Sequence, residues 1–274
     1  MIKTISRLLA ERGIRLCAPI PLSACRILRP YLLERAGIGD GTAFLFAVPY
    51  YTTECDDPAR NISAYAVSRD YHAFFGALFD EILPILRVQF PQNRFAGFTD
   101  HSPIAEVEAA VRAGLGVRGC NRLLLTEAYA SYVFLGEIVT DASVDCVLHE
   151  PRTCTQCGAC KSSCPVALNG EACLSALTQK KGELTAEEAK ALLANGMIWG
   201  CDRCQESCPV TRRAKAAGSI YTPIAFFKEH ALPHLTANAV EEMSNEAFAA
   251  RAYSWRGRKT ILRNLHLFQK GEPK

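Results

Sequence analysis

Between Cys154 and Cys208 the chain places eight cysteines in a pattern that few metal centres satisfy. It opens as Cys154-Thr-Gln-Cys157-Gly-Ala-Cys160-Lys-Ser-Ser-Cys164-Pro165 and closes as Cys201-Asp-Arg-Cys204-Gln-Glu-Ser-Cys208-Pro209, with Cys173 between. A C-x2-C-x2-C-x3-C-P run wraps three thiolates around one iron–sulfur cube and sends the fourth to a neighbouring cube. By that crossing rule Cys154, Cys157, Cys160 and Cys208 hold one cluster, and Cys164, Cys173, Cys201 and Cys204 hold the other. Cys173 lies in neither run and is assigned by arithmetic. Zinc also takes cysteine pairs two apart, but its sites rarely set three cysteines at successive x2 spacing before x3-C-P. The spacing predicts two [4Fe-4S] clusters and electron transfer in single steps.

Thirteen cysteines would mean disulfides in a small secreted protein. Here the apolar residues near the start are interrupted by Arg7, Glu11, Arg12 and Arg15, which leaves no signal-peptide core. No run approaches the roughly 20 apolar residues of a membrane span. The expectation is a monomeric cytoplasmic protein away from the membrane. Net charge is +3, and the basic excess follows the cysteines: 14 Lys/Arg stand against 16 Asp/Glu over 1–149, and 17 against 12 over 150–274. That balance alone does not establish nucleic-acid binding.

Along the chain, Ile2, Ile5, Leu8 and Leu9 mark a first helix, and 24–36 reads as a second. Thr42-Ala-Phe-Leu-Phe-Ala-Val-Pro49 is an uncharged run bounded by turn residues, the pattern of a buried strand. Phe74, Leu78, Ile82 and Ile85 give helical spacing over 69–90, with a kink expected at Pro84. Residues 94–99 read as a strand, and Ser102-Pro103 as the cap and first turn of a helix reaching Ala113. Leu123–Leu125 and Tyr132–Thr140 read as two more strands, paired antiparallel across a short loop. Thr185 and Glu188 form a capping box for a helix over 185–194, and 235–250 reads as helical. Strands alternating with helices make residues 1–149 an α/β layer structure.

Gly114-Leu-Gly116-Val-Arg-Gly119 spells the dinucleotide fingerprint, but a helix precedes it and a strand follows, the reverse of what pyrophosphate binding needs. Asp70-Tyr71-His72 opens the long helix, where Asp70 favours the N-terminus. The Asp-x-His-x-x-Gly signature of histidine-ligated cobalamin fails, because the glycine comes one place late at Gly76. Asp100, between a strand end and a helix start, either turns the chain or, desolvated near Phe98 and Ile104, keeps a proton to donate. Arg251, Arg256, Arg258, Lys259 and Arg263, with Tyr253 and Trp255 among them, read as an RNA-contact surface or as a solvated basic face.

Several segments, in this order, resemble the epoxyqueuosine reductase family: Arg60-Asn-Ile-Ser-Ala-Tyr65, Arg69-Asp-Tyr-His72, Gly97-Phe-Thr-Asp-His-Ser-Pro103, Gly114–Gly119, Phe134-Leu-Gly-Glu-Ile-Val-Thr-Asp141, Gly200-Cys-Asp-Arg-Cys-Gln205 and Leu262-Arg-Asn264. The resemblance implies an α/β (α+β) cobalamin-binding domain over 1–149, a two-cluster ferredoxin-like module over 150–215 and a short helical C-terminal segment over 216–274. It implies cobalamin held base-off, without a histidine on cobalt, reduced through the clusters by an external low-potential donor. The implied reaction removes the epoxide oxygen of epoxyqueuosine in tRNA, or in a queuosine-type nucleoside. Asp100 matches the family's proton donor, and Tyr71 and His72 line the same pocket. Gly116, Val117, Asn121 and Gly136 join Tyr71 and Asp100 beside the cofactor. The chain departs from the family at Val117 and Cys120, where Trp and Lys are common, and at Val210-Thr211. Longer members continue past the Leu-Arg-Asn segment into helical repeats, so a short form is expected here. A related cobalamin reductase of the dehalogenase kind, or a non-catalytic cobalamin or electron-transfer protein, are the alternatives.

Overall fold

The uncharged run Thr42–Pro49 is buried at every position, because it lies inside a four-stranded antiparallel sheet. A computed structural model describes residues 1–271. The strands are β1 (Leu16–Pro21), β2 (Thr42–Pro49), β3 (Phe95–Phe98), β4 (Val117–Arg118), β5 (Leu124–Leu125) and β6 (Val133–Thr140). The sheet order is β1-β2-β6-β3, with β4 and β5 forming a separate two-stranded unit. Thr42 and Phe95 flank Thr140 on its two sides, which sets the register of β6. β1 runs through Pro19 and Pro21 because it is an edge strand, where a missing N–H need not break the ladder.

Side chains alternate across the sheet. Phe44, Phe46 and Ile138 enter one core, while Ala43, Leu45 and Val139 enter another on the opposite face. Of the first five helices, α1 (Ile2–Ala10) and α4 (Tyr71–Gln89) pack in the first core. Helix α5 (Glu106–Arg112) packs in the second, beside α2 (Pro30–Ala36), and the short α3 (Ala64–Val67) adds to the first. The first core also takes Trp199, Phe227, Tyr253 and Leu265, so the chain after the cysteines folds back onto the sheet.

A buried ion pair fastens the cysteine segment to the rest. Arg60 Nη1 lies 2.7 Å from Asp202 Oδ2, and both side chains are nearly inaccessible. Asp202 also accepts the Ser63 hydroxyl and the Ala64 N–H. At the other end of the module, Asn264 donates to the carbonyls of Thr178 and Ile198. Two of the resembling segments therefore act as clamps.

Several local expectations change. Leu124–Leu125 pairs with Val117–Arg118 and not with β6, whose two sides are taken by β2 and β3. Ser102 does not cap α5, which starts at Glu106; its hydroxyl goes to Glu137 and to the Ile104 backbone. The second helix covers only Pro30–Ala36, because Pro30 starts it. The 235–250 region is two helices, Ala237–Glu242 and Asn245–Ala249, each with its own cap, Thr236 and Ser244. Helix α4 continues through Pro84, and the Thr185–Glu188 capping box is present.

Three of the five C-terminal cations are engaged by the chain's own carbonyls, while Lys259 stays exposed. Arg251 is buried and donates to the carbonyls of His230 and Val67. Arg258 donates to the Val240 carbonyl, and Arg263 to those of Lys180 and Gly182. Tyr253 is buried, while Trp255 stays exposed with the Arg256 guanidinium 3.9 Å from its ring centre. Residues 272–274 of the expected C-terminal segment lie outside the described residues.

Candidate active site

Strand β3 ends at Phe98 and delivers Thr99 and Asp100 to a cleft of about 170 Å3. Tyr71 from α4, Glu106 from α5, Phe134 from β6 and Leu123–Leu124 also line it. Asp100 has φ of 60°, a left-handed conformation that Asp tolerates better than most residues. The loop is tied down on both sides. The Thr99 hydroxyl donates to the Leu135 carbonyl, and the His101 ring bonds the Tyr31 hydroxyl at 2.7 Å.

Asp70 caps α4 through the His72 N–H, at the start of the helix from which Tyr71 reaches the cleft and His72 reaches Asp100. His72 Nδ1 lies 2.8 Å from Asp70 Oδ1, and Nε2 lies 3.6 Å from Asp100 Oδ2. Asp100 and Asp70 together raise the imidazole to about 9. His72 in turn holds the Asp100 carboxyl below its ordinary range, with the Tyr71 hydroxyl helping. Of the two readings of Asp100, desolvation does not prevail: the His72 contact holds its carboxyl low while the imidazole is raised. The Tyr71 ring stacks on Phe134, with centroids 4.2 Å apart, and burial raises its hydroxyl well above the ordinary tyrosine range.

Two side chains that sequence reasoning missed lie beneath this loop. Glu137 is wholly buried in β6, and Glu106 is mostly covered where it meets the cleft; burial raises both carboxyls above their ordinary range. The signal was available, since Glu137 is the one charged residue within Val133–Thr140, and an unpaired carboxylate is expensive to bury. Phe134, the ring that carries Tyr71, was also missed.

The cysteines surround two neighbouring cavities. Cys154, Cys157, Cys160 and Cys208 line one of about 40 Å3, with Cys120 and Cys204 at its wall. Cys164, Cys173, Cys201 and Cys204 line the other, of about 110 Å3. Among the described residues, no three His, Cys, Asp or Glu side chains converge on a single-ion site. Asn121 reaches both cavities, and its Nδ2 lies 3.9 Å from Cys204 Sγ.

Four residues expected beside a cofactor stand elsewhere than the cleft. Asn121 belongs to the cysteine cavities. A Cβ on Gly116 would meet the Leu125 carbonyl at 2.3 Å, so this glycine permits the β4–β5 unit to close, and Val117 begins β4. Gly136 faces the first core, where a Cβ would lie 2.4 Å from the Phe75 ring. The β4–β5 unit thus separates the two regions: Leu123 and Leu124 line the cleft, while Gly119, Cys120, Asn121 and Leu125 line the cysteine cavities.

No protein-family model matches the sequence. An epoxyqueuosine reductase of Gloeobacter violaceus is 35% identical over 187 residues, which cover 65% of this chain and 58% of that one. Another, from Cyclobacterium marinum, is 32% identical over 246 residues, covering 81% of this chain and 74% of its own. The chain therefore spans little more than half of the first relative's length and about three quarters of the second's. A solved epoxyqueuosine reductase with an epoxyqueuosine-modified tRNA-Tyr stem loop has the same fold, at TM-score 0.75 and 22% identity over 97% of this chain and 80% of that one.

Proposed function

This chain belongs to the epoxyqueuosine reductase family, and from that premise we propose that it is a cobalamin- and iron–sulfur-dependent reductase converting epoxyqueuosine to queuosine in tRNA. The observation that carries the reading is the arrangement around the β4–β5 unit. On one side is a cleft with a charged Asp100–His72 pair, and on the other are two cavities lined by eight thiols. Residues 1–149 would carry the reaction, and residues 150–215 would bring electrons to it from an external low-potential donor.

The donor sets suit the groups. Four thiols at each cavity match the ligand count of a [4Fe-4S] cluster: Cys154, Cys157, Cys160 and Cys208 for one, Cys164, Cys173, Cys201 and Cys204 for the other. The cleft wall of Val107, Leu123, Leu124, Val133 and Leu135 suits one face of a flat, largely apolar macrocycle. Both ring nitrogens of His72 face carboxylates, which supports a cobalt without His72 as a ligand; the base-off state is proposed from the family resemblance.

Bound cobalamin would supply a reduced cobalt able to pass electrons to the epoxide. Taking the oxygen away as water, with an alkene left behind, consumes two electrons and two protons. The chain's own part is to hold one of these protons beside the reacting oxygen, the second coming from solvent. His72 stores it, the Asp100 carboxylate next to it relays it, and the Tyr71 hydroxyl fixes the Asp100 oxygens. The relative solved with an epoxyqueuosine-modified stem loop supports such a stem loop as the substrate.

The test is anaerobic reconstitution followed by an optical spectrum with added cobalamin and an assay on an epoxyqueuosine-bearing anticodon stem loop. A cobalamin-dependent spectral change with formation of queuosine is expected. Binding without conversion would reject the substrate, and no spectral change would reject the cofactor.

A further inference from the structure

Six thiols line the smaller cysteine cavity, two more than one cluster takes. Cys204 is accounted for, since it also lines the other cavity and completes the set of four there. Cys120 is left over in both. Among the described residues, the remaining cysteines, Cys17, Cys25, Cys55 and Cys146, line neither cavity.

Backbone bonds fix Cys120 against a single ligand. The Arg118 N–H donates to the Arg152 carbonyl, and the Cys154 N–H donates to the Arg118 carbonyl, both at 2.9 Å. Bonds from the Gly119 N–H to the Leu123 carbonyl and from the Arg122 N–H to the Gly119 carbonyl then close a tight turn around Cys120. Its Sγ comes to lie 3.7 Å from Cys154 Sγ. Two thiolates held tetrahedrally by one metal ion at about 2.3 Å lie about 3.8 Å apart. The pair therefore stands at the separation of two ligands on one metal ion. An iron at a corner of the cube has room for one thiolate only, because the cube's own sulfides fill its other places. One of the two thiols must wait.

We infer that Cys120 is a reserve ligand for the Cys154 corner of that cluster, binding its iron when the Cys154 thiolate is withdrawn. The inference rests on the two clusters of the proposed function, and on neither its cobalamin nor its tRNA substrate. The exchange swaps one thiolate for another. The Cys120 thiol gives up its proton, the departing Cys154 sulfur takes one, and the iron keeps its oxidation state. Cys120 is exposed, so turning its side chain onto the iron disturbs no packed core.

The experiment is anaerobic cluster reconstitution of the full chain, read by iron content and electron paramagnetic resonance. The proteins are the wild type, Cys120→Ala, Cys154→Ala, Cys157→Ala and the double variant Cys120→Ala/Cys154→Ala. Wild type and Cys120→Ala should each hold about eight irons, because Cys154 occupies its corner in both. Cys154→Ala should also hold about eight, with the signal of that cluster shifted by its new ligand. The double variant and Cys157→Ala should fall to about four, since Cys120 reaches no other corner. The cluster of the second cavity, kept throughout, shows that each variant has folded. Should Cys154→Ala lose both clusters, Cys154→Ser and its double with Cys120→Ala decide by the same counts. About four irons in Cys154→Ala, or about seven with the signal of an oxidised three-iron cluster, overturns the inference. So does a double variant or a Cys157→Ala that keeps about eight, or a Cys120→Ala that falls to about four. A wild type that itself stays well short of about eight irons rejects the two-cluster reading, and the inference falls with it.

Discussion

The Nε2 atom of His72 stands 3.6 Å from Oδ2 of Asp100, while its other nitrogen is held by Asp70. One imidazole thus sits between two carboxylates, and its pKa rises from 6.5 to about 9. A histidine whose folded pKa exceeds its unfolded value adds stability below pH 6.5, and that contribution disappears as pH climbs through about 9. The ring is half exposed, so solvent keeps the effect small. An NMR titration of His72 should give a midpoint well above 6.5, and Asp100→Asn should lower it. A midpoint at the ordinary value would remove the stored proton from the mechanism.

A second expectation concerns turnover. Asp100→Asn keeps the size of the side chain but cannot relay a proton, so activity should fall by about 10² to 10⁴. Cluster and cobalamin contents should stay at wild-type levels. Undiminished turnover of the variant would dismiss Asp100 from the reaction.

The Arg60–Asp202 pair is nearly inaccessible to water, and removing one partner of such a pair strands the other charge. Asp202→Ala should cost about 3–5 kcal/mol, measured by urea unfolding of the cluster-loaded protein. Asp202→Asn, whose single amide oxygen can still accept from one of Ser63 and Ala64, should cost less. Were both variants as stable as the wild type, Arg60 would not be what fastens the cysteine module.

Parts of this arrangement were readable from sequence because they are local. Cluster ligands such as Cys154, Cys157 and Cys160 recur at fixed short spacing, and the buried run of β2 and the Thr185 cap depend on near neighbours. The partner of β6 was not readable, because strand order is decided by which distant chain reaches each edge. The sign of the Asp100 shift was lost for the same reason: His72 arrives from another element 28 residues earlier. Arg60 and Asn264 were recognised only as parts of resembling segments, and Arg263 also as one of the C-terminal cations; the structure supplies the physical work of each. Glu137 was the visible clue left unused, an acidic residue in an otherwise apolar strand.

Gly136 separates a packing role from a cofactor role. A Cβ there would meet Phe75 Cε1 at 2.4 Å and Phe46 Cζ at 2.7 Å, so Gly136→Ala overpacks the first core. The cost should be about 1–3 kcal/mol in denaturant unfolding, partly relieved by Phe75→Leu. Cobalamin affinity should not change, since Gly136 is not among the residues that line the cleft. Weakened affinity with unchanged stability would return Gly136 to the cofactor site.

Cys173 and Cys208 test the crossed assignment, since they complete different cavities from opposite ends of the module. With one thiolate replaced by the poorer ligand Ser, only the cluster in that cavity should be lost. Cys173→Ser should bring the iron content from about eight to about four per chain, with the electron paramagnetic resonance signal of a single reduced cluster. Cys208→Ser should do the same while removing the other signal. The double variant should then hold little iron, because neither cavity keeps four thiols. Full iron in Cys173→Ser would mean that another thiol, such as Cys120 at the wall between the cavities, takes its place. Loss of the same signal in both single variants would rule out the crossing itself.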